Sequence, residues 1–257
     1  MTGAPDAAAD VEVAADPGTG VAVIRLARPG KLNALRSGAV RELDRVIGVL
    51  EADPDCRVLV LAGRGRAFCS GADRGERADF TPDSRRRFIA AGRATLARLR
   101  SSPLISVAAL HGYVLGGGLE LAMSCDLRVA DEGTLLGLPE VTLGHLPGWD
   151  GPALLSRLVG RGRALDLVLT GERLGASAAL AAGLVDEVTP DGTAFAAALD
   201  RARRYAAAPA AVTGRVKQAL DLAPDLDPAP RLAPGPGPAA PHPATEHTES
   251  EEPPCGY

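Results

Sequence analysis

The stretch His111–Glu120, which reads HGYVLGGGLE, bears most directly on the fold and the chemistry. It follows an apolar strand predicted from Leu104 to Leu110 and precedes a short helical stretch. Three consecutive glycines allow a backbone to approach a ligand closely. The first amides of a helix lack intrahelical partners, and the helix dipole adds partial positive charge, so an oxyanion or phosphate could bind here. A tight packing turn is the structural alternative.

Two common phosphate-binding motifs do not fit this turn. A P-loop would place Lys followed by Ser or Thr after the glycines, and the glycine spacing is wrong for a dinucleotide fingerprint. A second glycine turn, Arg66–Asp73 or RAFCSGAD, follows a strand predicted from Val58 to Ala62. Taken alone it reads as an ordinary turn. The sequence therefore indicates a different kind of anion site.

The surrounding pattern predicts an α/β architecture. Val11–Ala15 and Val21–Leu26 flank a turn signal and predict a hairpin. Helical periodicity at Ser37–Ala52 precedes the apolar run Val58–Leu61, and a helix at Asp83–Arg100 precedes the strand at Leu104. Alternating helices and strands are typical of layered α/β folds. Further predicted strands lie at 127–130 and 185–188, and further helices at 152–159, 164–169, 176–182, 195–206 and 210–222.

Composition limits the class of protein. The chain has 257 residues, 46% hydrophobic and 23% charged, which is typical of a globular protein. A net charge of -4 gives no basic field for nucleic acid. Arg85, Arg86 and Arg87 form a local cluster, for which a solvated helix face is favoured over a phosphate site.

Cysteine usage and the apolar runs suggest a cytoplasmic protein. The four cysteines, Cys56, Cys69, Cys125 and Cys255, lack metal-ligand spacing, so no metal is expected and the thiols should be reduced. No secretory signal is recognisable, and no apolar run reaches the ~20 residues that span a bilayer. We therefore expect no membrane partner.

Proline content divides the chain into three predicted segments. Residues 1–10 are expected to be flexible and residues 11–223 to form one catalytic domain. From Pro224 onward, 10 of the chain's 21 prolines fall in 34 residues. Proline removes backbone donors and few large apolar residues are present, so residues 224–257 are predicted to be a disordered tail that contributes little to catalysis.

Several motifs together resemble the crotonase, or enoyl-CoA hydratase/isomerase, superfamily. Their order and spacing match jointly, from about Val21 to about Leu222. The matching stretches are Asn33–Leu35, Phe68–Asp73, Gly112–Glu120, Cys125–Asp126, Leu138–Glu140 and Leu169–Arg173.

This resemblance implies a crotonase-like spiral of ββα units that binds an acyl-CoA thioester. The amides matching Ala72 and Gly117 would form an oxyanion hole for the thioester carbonyl. Coenzyme A would be part of the substrate, and no other cofactor is expected. The substrate-binding residues that we expect are Ala34, Gly71, Asp73, Gly116, Gly148 and Trp149.

Glu120 and Glu140 match the two glutamates that hydratases of this superfamily use on water. A carboxylate pair can divide acid and base roles if their surroundings separate the pKa values. A dipole-stabilising acid at Glu120 and a solvated loop acid at Glu140 are the structural alternatives. We expect an enoyl-CoA hydratase, hence a lyase, of fatty acid or other acyl-CoA metabolism. Enoyl-CoA isomerisation, another reaction of the superfamily, and a non-catalytic assembly partner remain alternatives.

The chain also departs from the family pattern. Hydratases usually continue Pro-Gly-Ala-Gly-Gly, whereas Pro147–Gly151 reads PGWDG and adds Trp149 and Asp150 near the predicted acyl pocket. Asp150 could be a third acid/base, although a surface role is the more conservative interpretation. Arg74 replaces a usual aliphatic residue near the CoA adenine, and His145 is treated as a neighbour of the site.

The largest departure concerns the end of the chain. The family usually follows the helix matching 210–222 with helices that cover the acyl site and help to assemble trimers. The sequence predicts that this C-terminal helical segment is truncated. A homotrimer or hexamer is expected by resemblance, although that segment bears on the assembly.

Overall fold

The computed structural model describes residues 9–16 and 18–221. The predicted tail at 224–257 and most of the predicted flexible start lie outside these residues. Asp10, at the end of that start, is anchored: its carbonyl oxygen accepts a hydrogen bond from the Ala27 amide at 2.8 Å, and its carboxylate pairs with Arg36 and with Arg28.

The described chain forms nine strands and nine α-helices. The strands are β1 Val11–Asp16, β2 Val21–Leu26, β3 Val58–Gly63, β4 Ile105–Leu110, β5 Tyr113–Leu115, β6 Leu127–Asp131, β7 Leu135–Gly137, β8 Arg173–Gly175 and β9 Glu187–Thr189. The α-helices are α1 Ser37–Glu51, α2 Arg74–Ala78, α3 Pro82–Ser101, α4 Gly117–Met123, α5 Gly151–Val159, α6 Arg161–Thr170, α7 Ala176–Ala181, α8 Ala194–Ala206 and α9 Ala210–Asp221. Two 3-10 helices lie at Pro29–Lys31 and Pro139–Leu143.

The larger sheet has six strands in the order β1-β2-β3-β4-β6-β9. Strands β1 and β2 form the predicted antiparallel hairpin, and every other neighbouring pair is parallel. Parallel strands need crossover connections, and α1, α3 and α4 lie in these connections. The α/β fold class predicted from the sequence is confirmed.

Strand β3 shows how this sheet is buried on both faces. Leu59 and Leu61 face the main core with α1 and α3, whereas Val58 and Val60 face a second core. This alternation follows from the two-residue period of a strand. Helix α8 covers the second core with alanines at every fourth position, Ala194, Ala198, Ala202 and Ala206. These small side chains allow a close approach of helix and sheet.

A smaller three-stranded sheet, in the order β5-β7-β8, positions the glycine turn. Strands β5 and β7 are parallel and pair Leu115 with Gly137, and β7 is antiparallel to β8. The sequence analysis did not predict this sheet, because its three-residue strands are too short to show a periodic pattern.

The Cys125–Asp126 motif has a structural role in the described chain. Asp126 Oδ2 accepts hydrogen bonds from the Ser106 amide at 2.7 Å, from the Ser106 hydroxyl at 2.8 Å and from Lys217 Nζ at 3.0 Å. Lys217 also donates to the Leu99 and Leu104 carbonyls. These contacts tie α9 to the end of α3 and the start of β4.

Candidate active site

Strands β5 and β7 bring the two predicted glutamates to one place. Helix α4, with Glu120 in its first turn, follows β5, and the 3-10 helix with Glu140 follows β7. The Gly116 amide donates to the Gly137 carbonyl at 2.9 Å, which continues the pairing beyond the strands. Since the strands are parallel, both carboxylates emerge at the same end of the small sheet.

Gly116 makes this approach possible. Its φ of +53° lies in the left-handed region that favours glycine. A β-carbon there would lie 2.6 Å from Glu140 Oε1. A larger residue would therefore both strain the turn and displace the Glu140 carboxylate.

Glu120 is 2% exposed and is held by backbone donors. Its Oε1 accepts hydrogen bonds from the Trp149 amide at 2.7 Å and from the Gly151 amide at 2.8 Å. Burial raises the pKa of Glu120 to about 7, against the two amides, and the charges of Glu140 and Asp150 raise it further. Its carboxyl group therefore changes protonation near neutral pH.

Glu140 is less enclosed, but its Oε2 is buried and has no hydrogen-bond partner in the described chain. Burial raises the pKa of Glu140 above its usual value, and the positive charge of Arg77 acts in the opposite direction. An unpartnered buried carboxyl oxygen costs free energy unless a proton, a water or a ligand satisfies it. This oxygen is available to a bound molecule.

The turn that carries Ala72 is fastened to β5. Cys69 forms a bridge with Val114, and the Leu115 amide donates to the Cys69 carbonyl at 3.0 Å. Gly71, with a φ of +99°, passes so close that a β-carbon there would lie 3.4 Å from the Gly117 nitrogen. Neither the Ala72 amide nor the Gly117 amide donates a hydrogen bond within the described residues.

These groups line a narrow cavity, which we call the inner cavity, of about 60 Å³. Six of the predicted residues line it: Ala72, Gly117, Glu120, Glu140, Gly148 and Trp149. It thus combines the buried carboxylate of Glu120 and the half-buried carboxylate of Glu140 with two unpaired amides.

A wider outer cavity of about 500 Å³ adjoins the inner cavity, since Ala72, Arg77 and Glu140 line both. The other predicted residues lie here: Ala34, Gly71, Asp73 and Gly116. Lys31, Arg74 and Arg173 add positive charge to its lining.

Asp73 has a visible structural role at this cavity. Its carboxylate caps α2 by accepting hydrogen bonds from the Gly75 and Glu76 amides, at 2.9 and 3.2 Å. It also pairs with Arg28 at 2.8 Å. Its side chain is therefore already engaged without a ligand.

Trp149 forms one wall of the inner cavity and is 3% exposed. Its ring lies 5.2 Å from that of Phe88, which in turn lies 5.3 Å from Phe80. The ring also covers Gly117, where an added β-carbon would lie 2.9 Å from Trp149 Cζ3. The ring is therefore packed against both Phe88 and Gly117.

Asp150 faces away from the inner cavity. Its carboxylate is 3.3 Å from Arg93 Nε and 3.7 Å from Arg100 Nη2. This geometry favours the conservative interpretation of Asp150 over a third acid/base.

The sequence analysis missed two cations of the site, Arg77 on α2 and Arg85 on α3, which line the inner cavity with His145. Arg85 Nη2 lies 3.3 Å from His145 Nδ1. Neighbouring Arg86 pairs with Asp83, and Arg87 is exposed. All three arginines are exposed, which is consistent with the predicted solvated helix face, and Arg85 in addition lines the inner cavity.

The described residues contain no group of three or more side chains arranged to hold a metal ion. Among the same residues, no helix is long and apolar enough to cross a membrane.

The fold is that of the crotonase superfamily. An enoyl-CoA hydratase from Bacillus anthracis matches with a TM-score of 0.81 at 34% identity, over 85% of this chain and 84% of that one. The DspI protein of Pseudomonas aeruginosa matches with a TM-score of 0.81 at 32% identity, over 86% of this chain and 83% of that one.

Sequence comparison agrees with the structural match. The family model for enoyl-CoA hydratase/isomerase matches residues 16–231. The chain belongs to the enoyl-CoA hydratase/isomerase family.

Individual relatives match over a shorter stretch. A short-chain-enoyl-CoA hydratase of Clostridium acetobutylicum is 42% identical over 169 residues, which cover 65% of each chain. A putative enoyl-CoA hydratase/isomerase of Bacillus subtilis is 42% identical over 170 residues, 66% of this chain and 65% of the relative. The chain thus spans less than two thirds of the length of these curated relatives.

Proposed function

We propose that this protein hydrates an α,β-unsaturated acyl-CoA. The observation that carries the proposal is the meeting of Glu120, Glu140 and the unpaired amides of Ala72 and Gly117 at one cavity. Addition of water to an enoyl thioester needs a base, an acid and stabilisation of the charge that develops on the thioester oxygen. The inner cavity offers all three.

The two amides act as the oxyanion hole. Water attack at the β-carbon moves negative charge to the thioester oxygen, giving an enolate. Two N–H donors fixed by the backbone stabilise that charge without reorganisation, and loss of one such donor costs roughly 3 kcal/mol.

Glu120 acts as the base and Glu140 as the acid. The Trp149 and Gly151 amides stabilise the ionised form of Glu120, which can take a proton from water. Glu140 Oε2 has no hydrogen-bond donor in the described chain to stabilise its ionised form, so this oxygen can carry a proton. Glu140 then delivers its proton to the α-carbon, so hydroxyl and hydrogen add across the double bond.

The outer cavity receives the pantetheine and nucleotide of coenzyme A. It adjoins the oxyanion hole through Ala72, and Lys31, Arg74 and Arg173 supply charges suited to phosphates. Coenzyme A is part of the substrate, and the proposed mechanism uses no other cofactor. By family likeness we also propose a cytoplasmic homotrimer or hexamer of acyl-CoA metabolism, such as fatty acid metabolism.

Isomerisation of an enoyl-CoA is the second candidate, because it uses the same enolate. One carboxylate can shuttle a proton between two carbons, whereas hydration needs a coordinated base and acid. The presence of both glutamates at the inner cavity favours hydration.

A product assay tests the proposal. The purified full chain is incubated with crotonyl-, longer-chain and aromatic enoyl-CoA thioesters and, separately, with a 3-enoyl-CoA. A 3-hydroxyacyl-CoA product is expected from at least one 2-enoyl thioester. If the double bond migrates and no 3-hydroxyacyl-CoA forms, the proposed activity is isomerisation and not hydration. Thermal stabilisation by CoA thioesters without any turnover would support a non-catalytic role.

A further inference from the structure

A third cavity, which we call the basic cavity, lies beside the inner cavity and measures about 360 Å³. Four cationic or titratable side chains line it: Arg74, Arg77, Arg85 and His145. Its remaining lining is apolar and includes Phe80 and Leu143. No carboxylate of the described residues lines it.

The arginines of the basic cavity form no ion pair within the described chain, although the charge of Arg77 acts on Glu140 in the neighbouring inner cavity. Within the described residues, none of Arg74, Arg77 and Arg85 forms an ion pair, whereas Arg93, also on α3, pairs with Asp150. Arg85 instead lies beside the imidazole of His145. Burial and the charges of Arg77 and Arg85 lower the pKa of His145, as expected in a region of unbalanced positive charge. Such a region favours an anionic ligand.

The basic cavity is continuous with the place where the acyl group would lie. Phe80, Arg77, Arg85 and His145 line both it and the inner cavity. The packed rings of Trp149 and Phe88 occupy another wall of the inner cavity. An acyl chain whose thioester oxygen sits at the Ala72 and Gly117 amides can therefore extend past Phe80 to the arginines.

We infer that the preferred substrate is a short 2-enoyl-CoA whose acyl group ends in a carboxylate, bound by Arg77 and Arg85. This inference rests on the proposed hydratase function. Arginine binds a carboxylate through paired N–H donors, which gives orientation as well as attraction. Arg77 is half-buried and Arg85 is exposed, so solvent screens the contribution of Arg85 more strongly.

Phosphates of coenzyme A are the other anions that could reach these cations. Arg74 and Arg77 line the outer cavity as well, but Arg85 and His145 do not. Arg85 lines the inner and basic cavities but not the outer cavity. A substitution at Arg85 therefore distinguishes binding of an acyl carboxylate from binding of the CoA phosphates. Arg87, exposed on the same helix and outside the lining of all three cavities, provides a matched control.

The test compares two five-carbon substrates that differ only in the terminal group, pent-2-enoyl-CoA and pent-2-enedioyl-CoA. The wild-type kcat/KM should be about tenfold higher for the dicarboxylic substrate. Arg85→Met should reduce this ratio severalfold, and Arg87→Met should leave it as in the wild type. Binding is measured in parallel with the saturated thioesters pentanoyl-CoA and glutaryl-CoA by calorimetry, which needs no turnover.

The outcomes separate the inference from the proposed function. A wild-type ratio of one or less, with no tighter binding of glutaryl-CoA, would overturn the inference while hydration itself stands. Equal losses for both substrates in Arg85→Met would assign Arg85 to the CoA phosphates and would also overturn it. Tighter binding of glutaryl-CoA without hydration of any enoyl thioester would support the carboxylate site and refute the hydratase.

Discussion

The indole of Trp149 lies directly against the α-carbon of Gly92: a β-carbon on Gly92 would be 2.0 Å from Trp149 Cε2. Helix α3 therefore carries a glycine where the ring needs space, although glycine in a helix interior costs roughly 1 kcal/mol relative to alanine. The contact between Gly92 and Trp149 holds the indole in place as one wall of the inner cavity. The only tryptophan of the chain and a helical glycine thus depend on each other.

We expect Trp149→Leu to shift activity toward longer acyl chains. The smaller side chain opens the wall while the backbone amide still donates to Glu120. One methylene in an apolar pocket is worth about 1–3 kcal/mol of selectivity, so the kcat/KM ratio of octenoyl- to crotonyl-CoA should rise about tenfold. Trp149→Phe, which keeps most of the wall, is the control. An unchanged ratio in Trp149→Leu would show that the ring does not limit chain length.

Glu120→Gln and Glu140→Gln should each lower the kcat of hydration by about 10²- to 10⁴-fold. The amide keeps the shape of the side chain and loses the proton transfer. CoA-thioester binding, measured separately by calorimetry, should stay near wild type. Wild-type turnover in both variants would refute the acid/base assignment.

Gly117→Pro should lower kcat by about 10²- to 10³-fold, since proline has no amide hydrogen. Proline is tolerated at the first helical position, which Gly117 occupies. Gly117→Ala is the matched control, because it adds a β-carbon beside Trp149 but keeps the donor. Circular dichroism checks folding. If folded proline and alanine variants are equally active, the Gly117 amide is not the donor.

The pH profile of kcat/KM should show an acid limb near pH 7. Glu120 must be ionised to accept a proton, and its pKa is about 7, so activity should fall as pH drops below that value. Asp150→Asn removes a charge that raises this pKa, and the limb should therefore move to lower pH. Asp200→Asn, on α8 at the far face of the large sheet, should leave the limb in place. A limb that is the same in wild type and Asp150→Asn would count against Glu120 as the titrating base.

The raised pKa of Glu120 also predicts a stability effect. Glu120 ionises at lower pH in the unfolded chain than in the folded chain. As pH rises from about 4.5 to 7, the free energy of unfolding therefore falls by about 3 kcal/mol. Glu120→Gln escapes this loss and should raise Tm relative to wild type at pH 8 much more than at pH 4.5. Exposed Glu132→Gln is the control. An equal Tm difference at both pH values would contradict the raised pKa.

Much of the large sheet could be predicted because its elements are long and strongly patterned. The predicted helix 83–100 is found at Pro82–Ser101, with Phe88, Leu96 and Leu99 buried as expected. Strand β3 was recognisable from its apolar run. The small sheet was not, since Tyr113–Leu115 and its partners gain their structure from tertiary pairing.

The candidate site divides in the same way. The joint resemblance of several motifs to one family, including Phe68–Asp73, Gly112–Glu120 and Leu138–Glu140, led to both glutamates and to the two amides, which the structure brings to one cavity. Arg85 could not be assigned, because successive helical residues point about 100° apart and only packing shows which one faces a cavity. The position of Trp149 likewise could not be predicted, because it depends on packing against Phe88 and Gly92.

The pairing of β5 with β7 determines how Glu120 and Glu140 are held relative to each other. Glu120 and Glu140 are attached to adjacent strands joined by main-chain hydrogen bonds, including the one from Gly116 to Gly137. The two carboxylates are thus positioned by main-chain pairing within one sheet, whereas Arg77, Phe88 and Ile89 on α2 and α3 line the cavity from outside that sheet. A substitution on α2 or α3 can therefore reshape the cavity while the strand pairing that sets the spacing of Glu120 and Glu140 is retained.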